Sequence, residues 1–525
     1  VNIKFIKQST ISKYISVWTA LSISGLLIFF VFLHWNSINV PFGRDQGEYA
    51  YSAWLLREGL TPYVDSFLQK PPMIIYTYAV AQLINPGSYW PPRILACLFL
   101  LFTIALIGLI ARREFGPGTA LMAMFLAVRM TVLPRSWGFG ANTEVFMLLP
   151  LVLVLALYVW KKENANRWHW FFAGLFASLA MLYKPICILV LLFIFCVWLA
   201  ETLRVKNIKI TMVNFLFAIL GMTLALTITL SYYVYRNAFG SMWDSVVAFN
   251  YYYQKYFYSS GSKFFMYHMK ILWSEWWILF LLFAWFMIKR PARWWFYLGL
   301  FLSALITVYQ NPNGCYYFLL MPFWVLISVS AILSMIDEMK FKNTIWIRTA
   351  FIIVVIIFMT WPIRHQLFMS SDRFALQTYG RINPFIESPM VAEYVKQQTS
   401  PEDYVFIAGS EPQILFYAER KSSTRHILMY PLMINTPLAL EYQREAIRDL
   451  EAHPPKLMLL CCSPASWLIK ENSPVLFRDY FRELTDSKYQ LEAGFIQNDN
   501  VGYWQKPPIS NDQLASCSFL MYKKI

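Results

Sequence analysis

Long apolar runs separated by short basic clusters dominate the chain up to about residue 360. A spanning helix needs about 20 mostly apolar residues. Runs of that kind lie near 15–35, 93–111, 117–134, 142–160, 168–183, 185–201, 211–235, 273–288, 294–309, 315–335 and 345–362. They predict about eleven transmembrane helices. The first run is too long for a signal-peptide core and no small-residue cleavage site follows it, so it is expected to be retained. After 362 charged residues become frequent. There DYVFIAG (403–409) and KLMLLCC (456–462) read as buried strands, and PQILFYAER (412–420) as a helix. Residues 438–453 set Leu438, Tyr442, Ala446 and Leu450 on one helical stripe. FRDYFRELTDSKYQ reads as helix and turn, and SFLMYKKI as a closing strand. The prediction is a polytopic α-helical membrane part over 1–362 and a small α/β domain over 363–525.

The basic clusters orient this arrangement, because cytoplasmic loops carry an excess of lysine and arginine. Lys4, Lys7 and Lys13 precede the first span. Arg112 and Arg113 follow the second, Lys161, Lys162 and Arg167 the fourth, and Arg204, Lys206 and Lys209 the sixth. Lys289, Arg290 and Arg293 follow the eighth, and Lys340, Lys342 and Arg348 the tenth. Every second loop agrees with a cytoplasmic N-terminus. An odd number of crossings then places the C-terminal domain outside the cytoplasm, at the inner or plasma membrane of the cell.

Composition removes other classes. Hydrophobic residues make up 58% of the chain and charged residues only 14%, against about 25% in soluble domains. Mean hydropathy is +0.44. The net charge of +15 follows the loop clusters and forms no basic face, which excludes nucleic-acid binding. The seven cysteines show neither metal spacing nor a disulfide framework, and the six histidines form no cluster. The sequence starts at Val1, consistent with a trimmed end or a start codon other than AUG.

The chemistry concentrates in a long first outer loop, 36–92. One helix is expected to begin after Asp45, with Tyr51, Trp54, Leu55 and Glu58 at helical spacing, and to stop at Gly59. Its length and apolar face suit a helix lying in the membrane interface. A second is expected from Pro71-Pro72 to about Ile84. Two readings fit the charged residues here. Asp45 and Glu48 form a D-x-x-E pair close to a capping box, and Lys70 fits a lysine snorkelling to headgroups. Together they also place a carboxylate and an ammonium beside two helix N-termini, which attract anions. A hydroxyl attacking a sugar–phosphate carbon needs a base on one side and a stabilised phosphate on the other.

D-x-G-x-Y-x-Y, L-x-x-G-x-x-P-Y-x-D and K-P-P are carried by Asp45, Gly47, Tyr49, Tyr51, Leu56, Gly59, Pro62, Tyr63, Asp65, Lys70, Pro71 and Pro72. This combination resembles the first outer loop of GT-C-type glycosyltransferases, in particular the bacterial relatives of protein O-mannosyltransferases and lipid A aminoarabinose transferase. The resemblance implies a polyprenyl-phosphate sugar donor and transfer, with inversion if displacement is direct, to a lipid, glycan or protein acceptor outside the cytoplasm. It makes Asp45 the residue that activates the acceptor, with a divalent cation (Mg, Mn or Ca) nearby, and Lys70 the donor-phosphate contact. Glu48, Tyr49, Tyr51, Asp65, Pro71 and Pro72 support them. Glu144, opening the fourth helix after PRSWGFGANTEV, takes the family's second acidic position, where it shares catalysis and the tentative cation with Asp45. A carboxylate at a helix N-terminus is its plainer reading.

Lys184, in LYKP, matches a lysine common in the family, although snorkelling fits it equally. Tyr316 stands where relatives show histidine, so Tyr317 carries over as a phosphate contact, with aromatic-belt anchoring as the other reading. Arg129 and Arg135 border the second outer loop without a motif. The loop 236–272 holds Trp243, Phe249, Tyr251, Tyr252, Tyr253, Tyr256, Phe257 and Tyr258, suited to stacking on sugar or to interface anchoring. The competing functions are a transporter or flippase for a lipid-linked sugar and a membrane sensor. No inverted repeat with broken mid-membrane helices supports the first, and the second leaves Asp45, Glu144 and K-P-P without a role.

Overall fold

A computed structural model of the protein describes all residues except 1, 133–139, 161–165, 206–207, 258–260, 310, 312, 339–353, 367 and 499–500. The apolar runs close their backbone hydrogen bonds within helices, as hydrocarbon surroundings require. In chain order these are α1 (Asn2–Ile38), α2 (Arg44–Arg57), α3 (Met73–Gln82), α4 (Trp90–Phe115), α5 (Thr119–Met130), α6 (Thr143–Trp160), α7 (Arg167–Tyr183) and α8 (Ile188–Val205). Then come α9 (Ile208–Tyr235), α10 (Phe239–Trp243), α11 (Phe249–Phe257), α12 (Gly261–Lys289), α13 (Trp294–Val308) and α14 (Met321–Glu338), followed by α15 (Val354–Ile363). Among the described residues seven helices are long and apolar enough to cross a membrane, and α5, α13 and α15 are shorter apolar helices. Each of the predicted runs falls on a helix, the last described only from Val354.

Several of the basic residues used for orientation lie outside the described residues: Lys161, Lys162, Lys206, Lys340, Lys342 and Arg348, with Arg135 of the second outer loop. Small residues let neighbouring helices approach closely. A Cβ on Gly174 of α7 would fall 1.9 Å from the Ala218 carbonyl oxygen of α9, and one on Gly221 would fall 2.0 Å from that of Phe171. The described residues of the loop 236–272 include α10, a π-helical turn (Asp244–Ala248), α11 and the start of α12, which kinks at Trp276.

The C-terminal part opens with α16 (Ser371–Tyr379) and α17 (Ser388–Gln398) and builds a six-stranded mixed sheet in the order β2-β1-β3-β6-β4-β5. Its strands are β1 (Tyr404–Ala408), β2 (Lys421–Ser422), β3 (Leu457–Cys461), β4 (Tyr489–Asn498), β5 (Val501–Gln505) and β6 (Cys517–Lys524). β1 runs parallel to β2 and β3, while β6 lies antiparallel to β3 and β4. The expected strands β1, β3 and β6 and the helices α18 (Pro412–Ala418), α20 (Ala439–Ala452) and α22 (Leu476–Lys488) are present. On α20 the expected stripe of Tyr442, Ala446 and Leu450 is buried. The antiparallel pair β4–β5 was not expected.

This sheet domain sits directly on the first outer loop. α18 packs on α2, and a single apolar core runs through both parts. The expectation of an interfacial α2 is therefore corrected: Gln46 to Leu55 are all buried, so the helix has protein on every side.

Candidate functional site

α2 begins at Arg44 with Gly43 as its N-cap, and no side chain caps it. The capping-box reading of Asp45 and Glu48 is corrected by this geometry. Asp45 occupies the first turn instead, half-buried, and among the described residues its carboxylate has no hydrogen-bond or ion-pair partner. Glu48 and Tyr49, one turn on, are fully buried. Among the described residues, neither Glu48 carboxylate oxygen nor the Tyr49 hydroxyl has a hydrogen-bond partner within ordinary distance. Unpaired buried polar groups are costly, and three such atoms on one turn mark a polar cleft.

Lys70 enters that cleft. The snorkelling reading is corrected, for Lys70 is 6% exposed and its Nζ lies 3.5 Å from Glu48 Oε1. The chain before it is pinned from several sides. Tyr63, in the left-handed region at φ 71°, donates its hydroxyl to the Lys70 carbonyl at 2.8 Å. Asn250 of α11 donates to the Gln69 carbonyl at 2.7 Å. The Phe67 N–H donates to the Arg425 carbonyl at 2.6 Å. Asp65 accepts the Thr61 N–H at 2.6 Å and closes the turn, while buried Pro71 and Pro72 lead into α3. A non-glycine residue at positive φ persists only where its surroundings hold it. Tyr63 is held by its hydrogen bond to Lys70 and by its ring against Tyr233, 5.1 Å between centroids.

Glu144 and Lys184 reach the same cleft. Proline disfavours helical backbone in the residue before it, and Lys184, before Pro185, is extended at φ −163°, ψ 122°. This break at the end of α7 turns the lysine inward onto Glu144, with which it forms a buried ion pair. Thr143 Oγ1 and Cys315 Sγ also donate to Glu144, at 3.1 and 3.4 Å. The Tyr316 ring lies 3.5 Å from Lys184 Nζ, a cation–π contact. Tyr317 makes none of these contacts: its hydroxyl donates to the Tyr309 carbonyl and its ring packs on His268. The structure thus brings Asp45, Glu48, Tyr49, Lys70, Glu144 and Lys184 together, with Tyr316 as the neighbouring aromatic.

Electrostatics bind the two halves. Burial pushes the Glu48 carboxyl up, to about 8, since the neighbouring Lys70 only partly offsets it and Asp45 adds to the rise. Burial alone would lower Lys70, yet Asp45 and then Glu48 hold it above its ordinary value. Lys70 also feels Lys184, and Glu144 feels Lys70.

Residues that the sequence reading passed over stitch this site. Buried Arg93 of α4 donates to Gln46 Oε1 at 2.9 Å and to the Pro41 carbonyl at 3.1 Å. Gln46 donates in turn to Asn142 Oδ1, and Tyr78 donates to the Ala141 carbonyl. These bonds hold the end of the second outer loop, and so Glu144, against the first. A lone arginine inside an apolar run was the available signal. Tyr51 accepts the Ser422 N–H at 2.8 Å, and Arg44 pairs with buried Glu411 at 3.0 Å, both fastening the C-terminal domain. Arg129 pairs with Glu275 and two backbone carbonyls, a structural role away from the cleft. Of the outer aromatics, Phe249 is buried and Tyr253 half-buried, while Trp243, Tyr251 and Tyr256 are exposed. Tyr258 and the Phe257 side chain lie outside the described residues.

Among the described residues no three histidine, cysteine or acidic side chains gather as a metal site. Glu144 has Lys184 on one carboxylate oxygen and the Thr143 hydroxyl on the other.

Residues 69–226 match the family model of dolichyl-phosphate-mannose-protein mannosyltransferase. The matched stretch includes Lys70, Glu144 and Lys184. No curated protein matches the chain. Among solved structures, ArnT from Cupriavidus metallidurans bound to undecaprenyl phosphate superposes with a TM-score of 0.59 at 13% identity, covering 93% of this chain and 97% of that one. The same protein in its apo state gives 0.57 at 14% identity, with the same coverage. The chain has a GT-C-like glycosyltransferase fold, related to that of ArnT and of the protein mannosyltransferases.

Proposed function

We propose that this protein transfers a sugar from a polyprenyl-phosphate donor to a lipid, glycan or protein acceptor on the extracytoplasmic side of the membrane. The observation that carries this reading is the cleft itself. Asp45, whose carboxylate has no hydrogen-bond partner among the described residues, shares the cleft with two buried lysines drawn from the first outer loop and the α7–α8 junction, and it acts electrostatically on the first of them, Lys70. The likeness to a structure bound to undecaprenyl phosphate supports a lipid-phosphate donor. The corresponding topology has eleven crossings, a cytoplasmic N-terminus, and the membrane part divided from the outer domain at 362/363.

In the mechanism, Asp45 takes the proton of the acceptor nucleophile as it attacks the anomeric carbon. The bond from that carbon to the phosphate oxygen breaks, and the electron pair leaves with the phosphate. Lys70 meets the charge that develops there, and Lys184 assists, held by Glu144 and the Tyr316 ring. Tyr317 has no part, because its hydroxyl is turned to Tyr309. Direct displacement inverts the anomeric centre, and a product with retained configuration would overturn that step. The test of the function is transfer of radiolabel from a panel of polyprenyl-phosphate sugars, with protein in nanodiscs and host membranes as acceptors. One donor is expected to label an acceptor. Binding and translocation of donor without any transfer would refute the enzyme.

A further inference from the structure

Both lysines of the cleft have carboxylate partners: Lys184 is tightly paired with Glu144, while Lys70 lies 3.5 Å from Glu48 and is also attracted by Asp45. When Glu48 is ionised, it and Glu144 match the charges of Lys70 and Lys184, and a donor phosphate adds a surplus negative charge. Two anions cannot both claim Lys70 in a buried site unless one is neutralised.

We infer that Glu48, when ionised, is a positioning residue that pairs with Lys70 and releases it to the donor phosphate by taking a proton from solvent. The exchange balances: the Glu48 carboxylate and a solvent proton become the carboxylic acid, and the Lys70 ammonium passes from carboxylate to phosphate. This rests on the reading of the cleft as the donor-phosphate site. Glu48 suits the task because it is fully buried and Lys70 is its ion-pair partner.

The groups facing Glu48 come from every surrounding element. Asp45 and Tyr49 lie on α2, Lys70 and Tyr63 on the loop before α3, and Lys184 at the α7–α8 junction. Tyr430, buried in the C-terminal domain, also feels Glu48 and packs against Tyr253 of α11, 6.1 Å between ring centroids. The three tyrosines are all held well above their ordinary range by burial, and Lys70 is raised by Asp45 and Glu48 against burial. None of these titrates near pH 8, so Glu48 dominates there.

The sign follows. Below about pH 8 Glu48 is already protonated and binding takes up little. Above it, each phosphate bound draws in a proton, and affinity falls up to about tenfold per pH unit. The probe is the methyl phosphodiester of a short polyprenol, which carries one charge at every pH used. Titration calorimetry of the protein in nanodiscs, in buffers of different ionisation enthalpy, is expected to show close to one proton taken up at pH 9 and almost none at pH 6.5. Glu48→Gln is expected to bind the probe with no proton uptake and equal affinity at both pH values. Wild-type binding without pH-dependent uptake would overturn the role of Glu48 and leave the donor site standing. Uptake that persists in Glu48→Gln would do the same. Absence of probe binding to wild type at either pH would overturn the donor site and this inference together.

Discussion

Replacing Gly47 with alanine tests how the C-terminal domain is joined to the cleft. A Cβ at that position would meet the backbone of α18, 2.5 Å from the Gln413 nitrogen and 2.8 Å from its Cα. Ordinary carbon contacts lie near 3.5 Å, so α2 and α18 must separate by about an ångström. Neither is a flexible side chain that can swing aside. Overpacking of this kind costs about 1–3 kcal/mol. The larger effect falls on function, because Gly47 lies between Asp45 and Glu48 on one helical turn. A displacement of about 1 Å at reacting groups can cost about 100-fold in rate. Gly47→Ala is therefore expected to lower sugar transfer about 100-fold, lower the midpoint of thermal unfolding, and speed proteolysis at the 363–400 junction. Gly118→Ala is the control, since a Cβ there meets nothing within 4 Å. A Gly47→Ala protein with wild-type transfer and proteolysis rates would refute the claim that α18 sets the position of the Asp45 turn.

The buried Lys184–Glu144 pair gives a second expectation. Lys184→Met or Glu144→Gln alone strands a buried charge and is expected to cost about 3–5 kcal/mol, with the double variant less destabilised than either single one; thermal unfolding of all four proteins would show it, and additive losses would contradict it. A third concerns the domain junction, where Arg425 donates to Glu445 at 2.8 and 2.9 Å and to Asp244 of the π-helical turn at 3.0 Å. Burial raises the Glu445 carboxyl, but the His426 hydrogen bond and the Arg425 guanidinium overcome it and hold it at about 2. Buried His426 lies below its ordinary value and is neutral at pH 7, so Arg425 is the cation that acts. A depressed carboxylate stabilises the fold above its unfolded value and loses that contribution as pH falls toward 2. Wild type is expected to lose up to about 3 kcal/mol between pH 5 and 2 through this group, and Glu445→Gln to lose correspondingly less. Equal acid sensitivity of the two in urea titrations would count against it.

The membrane helices were legible because apolar length is a one-dimensional signal, and each run became a helix. Asp45, Lys70, Glu144 and Lys184 were legible as positions through motif and helix-end chemistry. The burial of α2 was not, because it depends on the C-terminal domain, whose α18 packs on it and turns an expected interfacial helix into a buried one. Tyr316 and Tyr317 differ by one residue, and the 3-10 turn Gly314–Leu320 decides which ring meets Lys184. Sequence spacing cannot settle a rotation of that size. Arg93 was hidden because its partners, Gln46 and the Pro41 carbonyl, lie about 50 residues away. The β4–β5 pair was missed because YQLEAGFIQN mixes apolar and polar residues around Gly494 without strong β-branched enrichment.

The most direct test of the central claim separates chemistry from binding at Asp45. Sugar transfer and lipid-phosphate binding would be measured on the same nanodisc preparations of wild type, Asp45→Asn and Lys70→Ala. The account predicts that Asp45→Asn binds the polyprenyl phosphate as wild type does but transfers at least about 100-fold more slowly, while Lys70→Ala loses both. Undiminished transfer by Asp45→Asn, or donor crossing the bilayer equally well in wild type and Asp45→Asn with no transfer in either, would contradict it.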